Sequence, residues 1–454
     1  MEQRIRTTSP DRRPPWVALA LALLVQFAVA FELRGDLVVR LPLPPSAAAG
    51  SPYDWLVAKL DGHQLVLGQM LLAALGAALV TATTGRLYSR RAAWIAAFAS
   101  AGFAAWIWTS FLLEPTSLAL FGAALFGWCI AGEARIWRAL LAGATLGLWT
   151  LVQENALLLL AALLPWGEHR RLPYVAAAGA GLLLVIVPWI AAYRSDGGEG
   201  WWTTPEPGAS FFIGNGADAT GAWRELPAPE PEQSPAATSL AWIERGVGDI
   251  LDAPQRAAWR LTDKALLATA PSEPLDRAAF EAYLDASLLL RALSYPFSFA
   301  PLFVLGVLGA VLAGDSRRSA LPLLISIALL VFGLLVLYVS SRYRLATVPL
   351  ALPFAAHGVV ILLRRFTEGG GRTTAILIVL LPVLALRLPR PVEIAPSAVH
   401  WSRVTALAVE RNLPADAREA ARRALAADPA GARRLLAPLS SAPALDGADL
   451  EHTR

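Results

Sequence analysis

Long apolar runs recur along this chain, separated by short turns that carry arginine or acidic residues. A membrane-spanning helix needs about 20 mostly apolar residues, and shorter ones serve inside a bundle. On that basis spans are expected near Trp16–Phe31, Gln64–Thr83, Ala92–Leu113, Thr116–Gly132 and Ala139–Thr150. Further spans follow near Asn155–Trp166, Pro173–Tyr193, Phe299–Ala313, Leu321–Tyr338, Leu345–Leu363 and Thr374–Leu386. The pattern predicts an all-α integral membrane protein of about eleven transmembrane helices. The first span follows Arg12-Arg13 without a small-residue cleavage site, so it reads as an uncleaved helix.

The short halves on either side of Gln153-Glu154-Asn155 could instead form one kinked helix, and the arginines decide between the two. Positive charge resists translocation, so arginine clusters mark the cytoplasmic side. With a break at Gln153 and the N-terminus inside, all six clusters fall on that side. They are Arg12-Arg13, Arg86/Arg90/Arg91, Arg135/Arg138, Arg170-Arg171, Arg317-Arg318 and Arg364-Arg365/Arg372. A single helix would put the last three outside, so the break is kept.

Four regions are expected: an N-terminal bundle over 1–193, an outer loop domain over 194–297, further helices over 298–387 and a small tail over 388–454. Segment 194–297 carries 15 Asp/Glu and 8 Lys/Arg, a net −7 that suits an outer location. Helical periodicity at Ala398–Arg411 and Ala415–Ala427, broken by prolines, predicts a hairpin on the outer side. The chain is expected in a bacterial cytoplasmic membrane, with its C-terminus periplasmic.

Composition agrees: 56% of residues are hydrophobic and 16% charged, against roughly half and a quarter in soluble domains. The net charge of +4 lies in short loops and forms no basic domain, so nucleic acid is not an expected partner. Lys59 and Lys264 are the two lysines; arginine supplies the remaining cation, as in a GC-rich bacterial gene. Cys129 is single, lies in an apolar run and reads as core filler. His63 and His357 read as structural, and no Cys/His spacing of a metal site occurs. No cofactor is implied.

Ionisable groups near membrane depth are expensive and mark function by default. The outer face gathers Glu32, Asp36, Asp54, Glu114, Glu154, Arg342 and Arg344. Arginines would hold a lipid phosphate bidentately, and a carboxylate would take a proton from an acceptor hydroxyl. Each also has a structural alternative. Interfacial arginines snorkel to headgroups, and Glu114 and Glu154 suit the N-termini of the helices that follow them.

Several stretches resemble one family. Gly62-His63-Gln64-Leu65 through Leu75-Gly76-Ala77 resembles its second span, and Arg86-Leu87-Tyr88 with Arg90-Arg91-Ala92-Ala93 its cytoplasmic turn. Gly143–Leu148 running to Glu154-Asn155 is similar to its glycine-rich span ending in R-E-N, with Gln153 where a basic residue is common. Phe211-Phe212-Ile213-Gly214-Asn215-Gly216-Ala217-Asp218-Ala219-Thr220-Gly221 resembles N-F-Y-I-G-N-N-P-x-A-x-G, the most specific of these. Ser341-Arg342-Tyr343-Arg344-Leu345 to Val348-Pro349 resembles A-R-Y-R-L-P-V-V-P. Over roughly Ser51 to Leu363 the chain looks like a GT-C superfamily membrane glycosyltransferase of the family 39 kind, the group of protein O-mannosyltransferases and aminoarabinose transferases.

The resemblance implies a GT-C-type bundle with one large outer loop domain. It implies transfer of a sugar from a polyprenyl-phosphate donor, with inversion, to a protein, lipid or polysaccharide acceptor on the outer face. A carboxylate of the first outer loop would be the base. The family places an acidic residue ahead of a tyrosine-bearing helix there, whereas Glu32 to Gly50 is short and rich in Pro and Ala. Asp36 is the first candidate, with Asp54 and Glu32 next. Arg342, Arg344, Glu114, Glu154 and Asn215 are the candidates for binding the donor and its phosphate. A multi-pass transporter or flippase would be expected to show internal repeats, and none relates the two halves. A non-catalytic scaffold with the C-terminal hairpin as its docking element is the remaining alternative.

Overall fold

The computed structural model describes residues 13–33, 52–112, 114–164, 171–195, 206–224, 226, 235–274, 287–367 and 414–427. It also describes isolated positions 280, 284, 405, 409, 432, 433, 436, 439 and 445. Among these residues the chain is helical, with no strand and one isolated bridge between Ala222 and Val339.

The first half comprises α1 (Arg13–Glu32), α2 (Pro52–Lys59), α3 (Gly62–Leu87), α4 (Arg90–Gly102), α5 (Ala104–Thr109), α6 (Thr116–Ile130) and α7 (Ile136–Thr150). A 3-10 helix over Glu154–Leu163 and α8 (Arg171–Ser195) complete it. Then come α9 (Glu206–Asn215), α10 (Pro235–Asp252), α11 (Pro254–Thr269), α12 (Leu288–Ser294) and α13 (Phe299–Val311). Then follow α14 (Arg317–Val336), α15 (Ser341–Leu345), α16 (Val348–Thr367) and α17 (Pro414–Ala427).

Among the described residues six helical segments are long and apolar enough to cross a membrane: Arg13–Glu32, Gly62–Leu87, Leu172–Ser195, Leu288–Val311 (α12 with α13), Arg318–Val336 and Val348–Thr367. Leu172, Leu183, Leu184 and Val187 of α8 are exposed, as are Val307 and Val311 of α13 and Phe332 of α14. An aqueous surface rarely carries such continuous apolar faces, and lipid removes their cost. The expected count of about eleven is therefore not reproduced as eleven long helices. Thr116–Ile130 is apolar but shorter, and Asn155–Trp166 is replaced by the 3-10 helix. At about 2.0 Å rise per residue, this ten-residue element reaches further than an α-helix of equal length. The Ala92–Leu113 run breaks at Phe103, where Gly102 leaves room for the Phe297 ring: a Cβ there would lie 2.7 Å from it. Thr374–Leu386 and most of Ala398–Arg411 fall outside the described residues.

The chain does break at Gln153, whose backbone is extended between α7 and the 3-10 helix. Two crossings hold the bundle through glycine. Gly143 of α7 and Gly181 of α8 lie against Ala178 O and Leu140 O, so that a Cβ would fall 1.8 and 2.0 Å from those oxygens. Gly309 of α13 meets Phe354 O of α16 in the same way, with a notional Cβ at 1.9 Å. Small residues at crossings let helix backbones approach where lipid supplies no hydrophobic drive.

Candidate polar site at the helix ends

A helix ends with unsatisfied carbonyls, and inside a membrane protein these need donors. At the end of α14 they receive them from a distant segment. Lys264 Nζ, on α11, donates to Leu335 O (2.9 Å), Leu337 O (2.6 Å) and Asn215 Oδ1 (2.9 Å). Asn215 Nδ2 donates to Val336 O at 2.8 Å. Gly214 lies so close to α14 that a Cβ would fall 1.8 Å from Leu337 O. Val339 N donates to Gly221 O at 2.8 Å, and Gly221 adopts φ +85°, a conformation that favours glycine. The Phe211–Gly221 stretch thus forms a clasp on the end of α14. Asn215 also gives its backbone carbonyl to Arg260.

Burial pushes the Lys264 ammonium down to about 7, and neighbouring Arg260 adds to the shift. Burial, followed by Arg256, also lowers Arg260, while Asp249 opposes.

The clasp fixes where α15 begins. Ser340 caps it by accepting from Tyr343 N at 3.4 Å. Arg344 is fully buried beneath and pairs with Glu273 at 2.8 Å. It also donates to Leu267 O, Ala270 O and Ser272 O at 3.3, 2.8 and 2.8 Å. Its guanidinium lies 4.3 Å from the Phe299 ring centre. Lys264 of α11 therefore caps α14, and Arg344, just beyond α14, caps α11. Ser341 Oγ donates to the same Glu273 oxygen at 3.2 Å.

Arg342 and Tyr343 face a different set of groups. Tyr343 Oη donates to Glu154 Oε1 at 3.0 Å and lies 3.5 Å from Ser210 Oγ. Arg342 Nη2 donates to Tyr338 Oη at 3.2 Å, and its guanidinium lies 5.0 Å from the Tyr343 ring centre. The Tyr338 and Tyr343 rings pack edge to face at 5.2 Å. Next to Glu154, Asn155 is buried against Gly333 of α14, and neither amide atom has a hydrogen-bond partner among the described residues. A carboxylate, a guanidinium and two phenols thus meet where the 3-10 helix and α15 come together, and the residue after the carboxylate carries an unsatisfied amide. A cavity of about 380 Å³ lies beside Glu273, between α5, residues 271–273 and the segment 291–298. Arg291, Tyr295 and Phe297 line it with Ala104 and Ala105.

Of the residues singled out in the sequence, Glu154 and Arg342 are brought together through Tyr343. Arg344 and Asn215 belong to the two helix-end locks. Glu32, at the end of α1, accepts from Ser287 Oγ (2.5 Å) and Leu289 N (3.1 Å), so it serves the N-terminus of α12. Glu114 is buried just ahead of α6. Asp54 lies on α2, but its side chain and the whole of Asp36 fall outside the described residues. Glu273 and Lys264 were not anticipated. Lys264 carried one signal, as a rare lysine in an arginine-rich chain. Glu273 carried none in its Pro271-Ser272-Glu273-Pro274 loop. Among the described residues no three His, Cys, Asp or Glu side chains cluster as a metal site would require.

No protein-family profile matches the chain, and no curated protein matches it. Among solved structures it is similar to the oligosaccharyltransferase of Archaeoglobus fulgidus in its apo form, at 13% identity and a TM-score of 0.40, over 82% of this chain and 55% of that one. It is also similar to the archaeal oligosaccharyltransferase AglB of that organism in complex with an inhibitory peptide and a dolichol-phosphate, at 13% identity and a TM-score of 0.40, over 90% of this chain and 59% of that one. The chain spans little more than half the length of each.

Proposed function

We propose that this chain is a membrane glycosyltransferase that moves a sugar from a polyprenyl-phosphate donor to an acceptor on the outer face of a bacterial cytoplasmic membrane. The observation that carries the proposal is the meeting of Arg342, Tyr343 and Glu154 at the ends of apolar helices, with the unpaired amide of Asn155 next to Glu154 in the chain. Buried polar groups of this density are costly in a membrane protein unless a substrate uses them. The motif resemblance supplies the reaction type.

In this proposal Arg342 binds the donor phosphate, since a guanidinium fork matches two phosphate oxygens. Tyr343 and Glu154 hold Arg342 in place, and Asn155 hydrogen-bonds the sugar. Glu114 is assigned to donor binding on its burial alone. Arg344 and Asn215 act by position, because they lock the elements on which Arg342 stands. The acceptor hydroxyl attacks the anomeric carbon as the bond to the phosphate oxygen breaks. The electron pair leaves with the phosphate, and the hydroxyl proton passes to a carboxylate of the first outer loop. Asp36 is the proposed base and Asp54 the second choice. Glu32 is less suited, because its carboxylate already caps α12.

The test is transfer by the purified protein from a panel of radiolabelled polyprenyl-phosphate sugars to a membrane extract. Wild type should label the extract, and Asp36→Asn should lower the rate by about 100-fold or more, the scale of a lost general base. The proposal fails if no donor supports transfer. The assignment of the base fails if Asp36→Asn, Asp54→Asn and Glu32→Gln all match wild type.

A further inference from the structure

At the opposite end of the α6–α7 pair, two arginines converge on one carbonyl. Arg86, at the close of α3, donates Nη1 to Trp128 O (3.0 Å) and Ala131 O (3.3 Å). Arg138, in the first turn of α7, donates Nη1 to the same Ala131 O (3.3 Å) and to Glu133 O (3.4 Å). Both guanidiniums lie against the Trp128 ring, at 4.9 and 5.3 Å from its centre, and Arg138 lies 5.4 Å from Trp137. The arrangement is open on the Arg86 side, which is exposed, and closed on the Arg138 side, which is buried.

Capping the end of α6 accounts for one cation. It does not account for two sharing an acceptor. Neither meets a carboxylate among the described residues, because Glu133 turns its carboxylate to Arg135 at 3.4 Å. Arg138 Nε is buried without a partner, and neither Nη2 meets an acceptor among the described residues. Two like charges held this close repel unless an anion lies between them. Phosphate oxygens accept the paired N–H groups that the guanidiniums leave unused. The source of that phosphate is indicated by the neighbours: Ile136 is 62% exposed and Trp137 49%. An exposed aliphatic and indole pair beside arginines is the composition of a membrane interface.

We propose that Arg86 and Arg138 form a binding site for the headgroup phosphate of an anionic phospholipid. The site is separate from the Arg342 cluster and does not depend on the glycosyltransferase proposal. Basic pockets between the ends of membrane helices are suited to this use. The two arginines are set in advance by Ala131 O and Trp128, so little side-chain freedom is lost on binding.

The test is lipid binding to the purified full chain in neutral detergent, followed by native mass spectrometry. The probes are short-chain phosphatidylglycerol, phosphatidylcholine of the same chain length, and inorganic phosphate. Phosphatidylglycerol should bind about 10-fold more tightly than phosphatidylcholine, and the Arg86→Gln/Arg138→Gln pair should remove that preference. Arg90→Gln/Arg91→Gln, at two exposed arginines opening α4, should change it less than about 2-fold. Arg86→Lys keeps the charge on an exposed side chain and loses the fork. It should weaken phosphatidylglycerol about 3-fold, which covers the case in which the double variant does not fold. The proposal is overturned if Arg86→Lys and the Gln pair both bind like wild type. It is also overturned if the Arg90/Arg91 pair costs as much as the Arg86/Arg138 pair. Inorganic phosphate binding as tightly as phosphatidylglycerol would overturn the lipid as the source.

Discussion

Arg344 and Glu273 form an ion pair at 2.8 Å in which neither side chain reaches solvent to any useful extent. The pair ties the loop that follows α11 to the turn that carries Arg342. Removing one partner strands a buried charge, which costs about 3–5 kcal/mol, whereas replacing both with apolar groups is often neutral. Glu273→Ala is therefore expected to lose stability on that scale in detergent unfolding measurements. Arg344→Leu/Glu273→Leu should lose clearly less than Glu273→Ala alone. Equal losses would show that the charges contribute little to holding α11 against α15.

Lys264 gives a pH dependence whose direction follows from its burial. Its folded value of about 7 lies below the ordinary 10.5, so the unfolded chain binds the proton more tightly. Stability then climbs with pH wherever the unfolded state holds more protons. Between pH 7 and 10 the unfolding free energy of wild type should rise relative to Lys264→Met by a few kcal/mol, on the order set by the shift. Below pH 7 the two curves should run parallel. Parallel curves across the whole range would place the Lys264 ammonium in an environment as polar as water.

Asn155 separates function from stability. A buried amide with no partner costs free energy that an apolar side chain of similar shape does not. Asn155→Leu should raise thermal stability, by about 1–2 kcal/mol for the relieved amide, while lowering the transfer rate. Loss of both would assign Asn155 to packing against Gly333. A gain in stability with no loss of transfer would remove it from the substrate site.

Much of the helical plan was legible because its cause is local. Apolar runs marked α1, α3, α8, α14 and α16, and the polar trio Gln153-Glu154-Asn155 marked the break after α7. The Phe103 break was hidden because the residues around it are apolar and the ring that packs against Gly102, Phe297, lies far along the chain. The candidate site was readable where a charge stood in an apolar setting, as with Arg342 and Glu154. It was not readable where partners lie in loops without periodicity. Ser341 and Glu273 are 68 residues apart, and Tyr343 and Glu154 are 189 apart. Asn215 was legible as part of a motif, but its place in the α14 clasp was not, because that depends on Lys264.

Arg342 is proposed to bind the phosphate of a lipid-linked sugar. The most direct test is the KM for a polyprenyl-phosphate sugar in purified wild type and Arg342→Gln, with thermal unfolding measured alongside. In Arg342→Gln the KM should rise about 10-fold or more, the scale of a lost charge-assisted fork, with an unfolding temperature close to wild type. An unchanged KM, or a loss of donor affinity matched by an equal loss of stability, would contradict it.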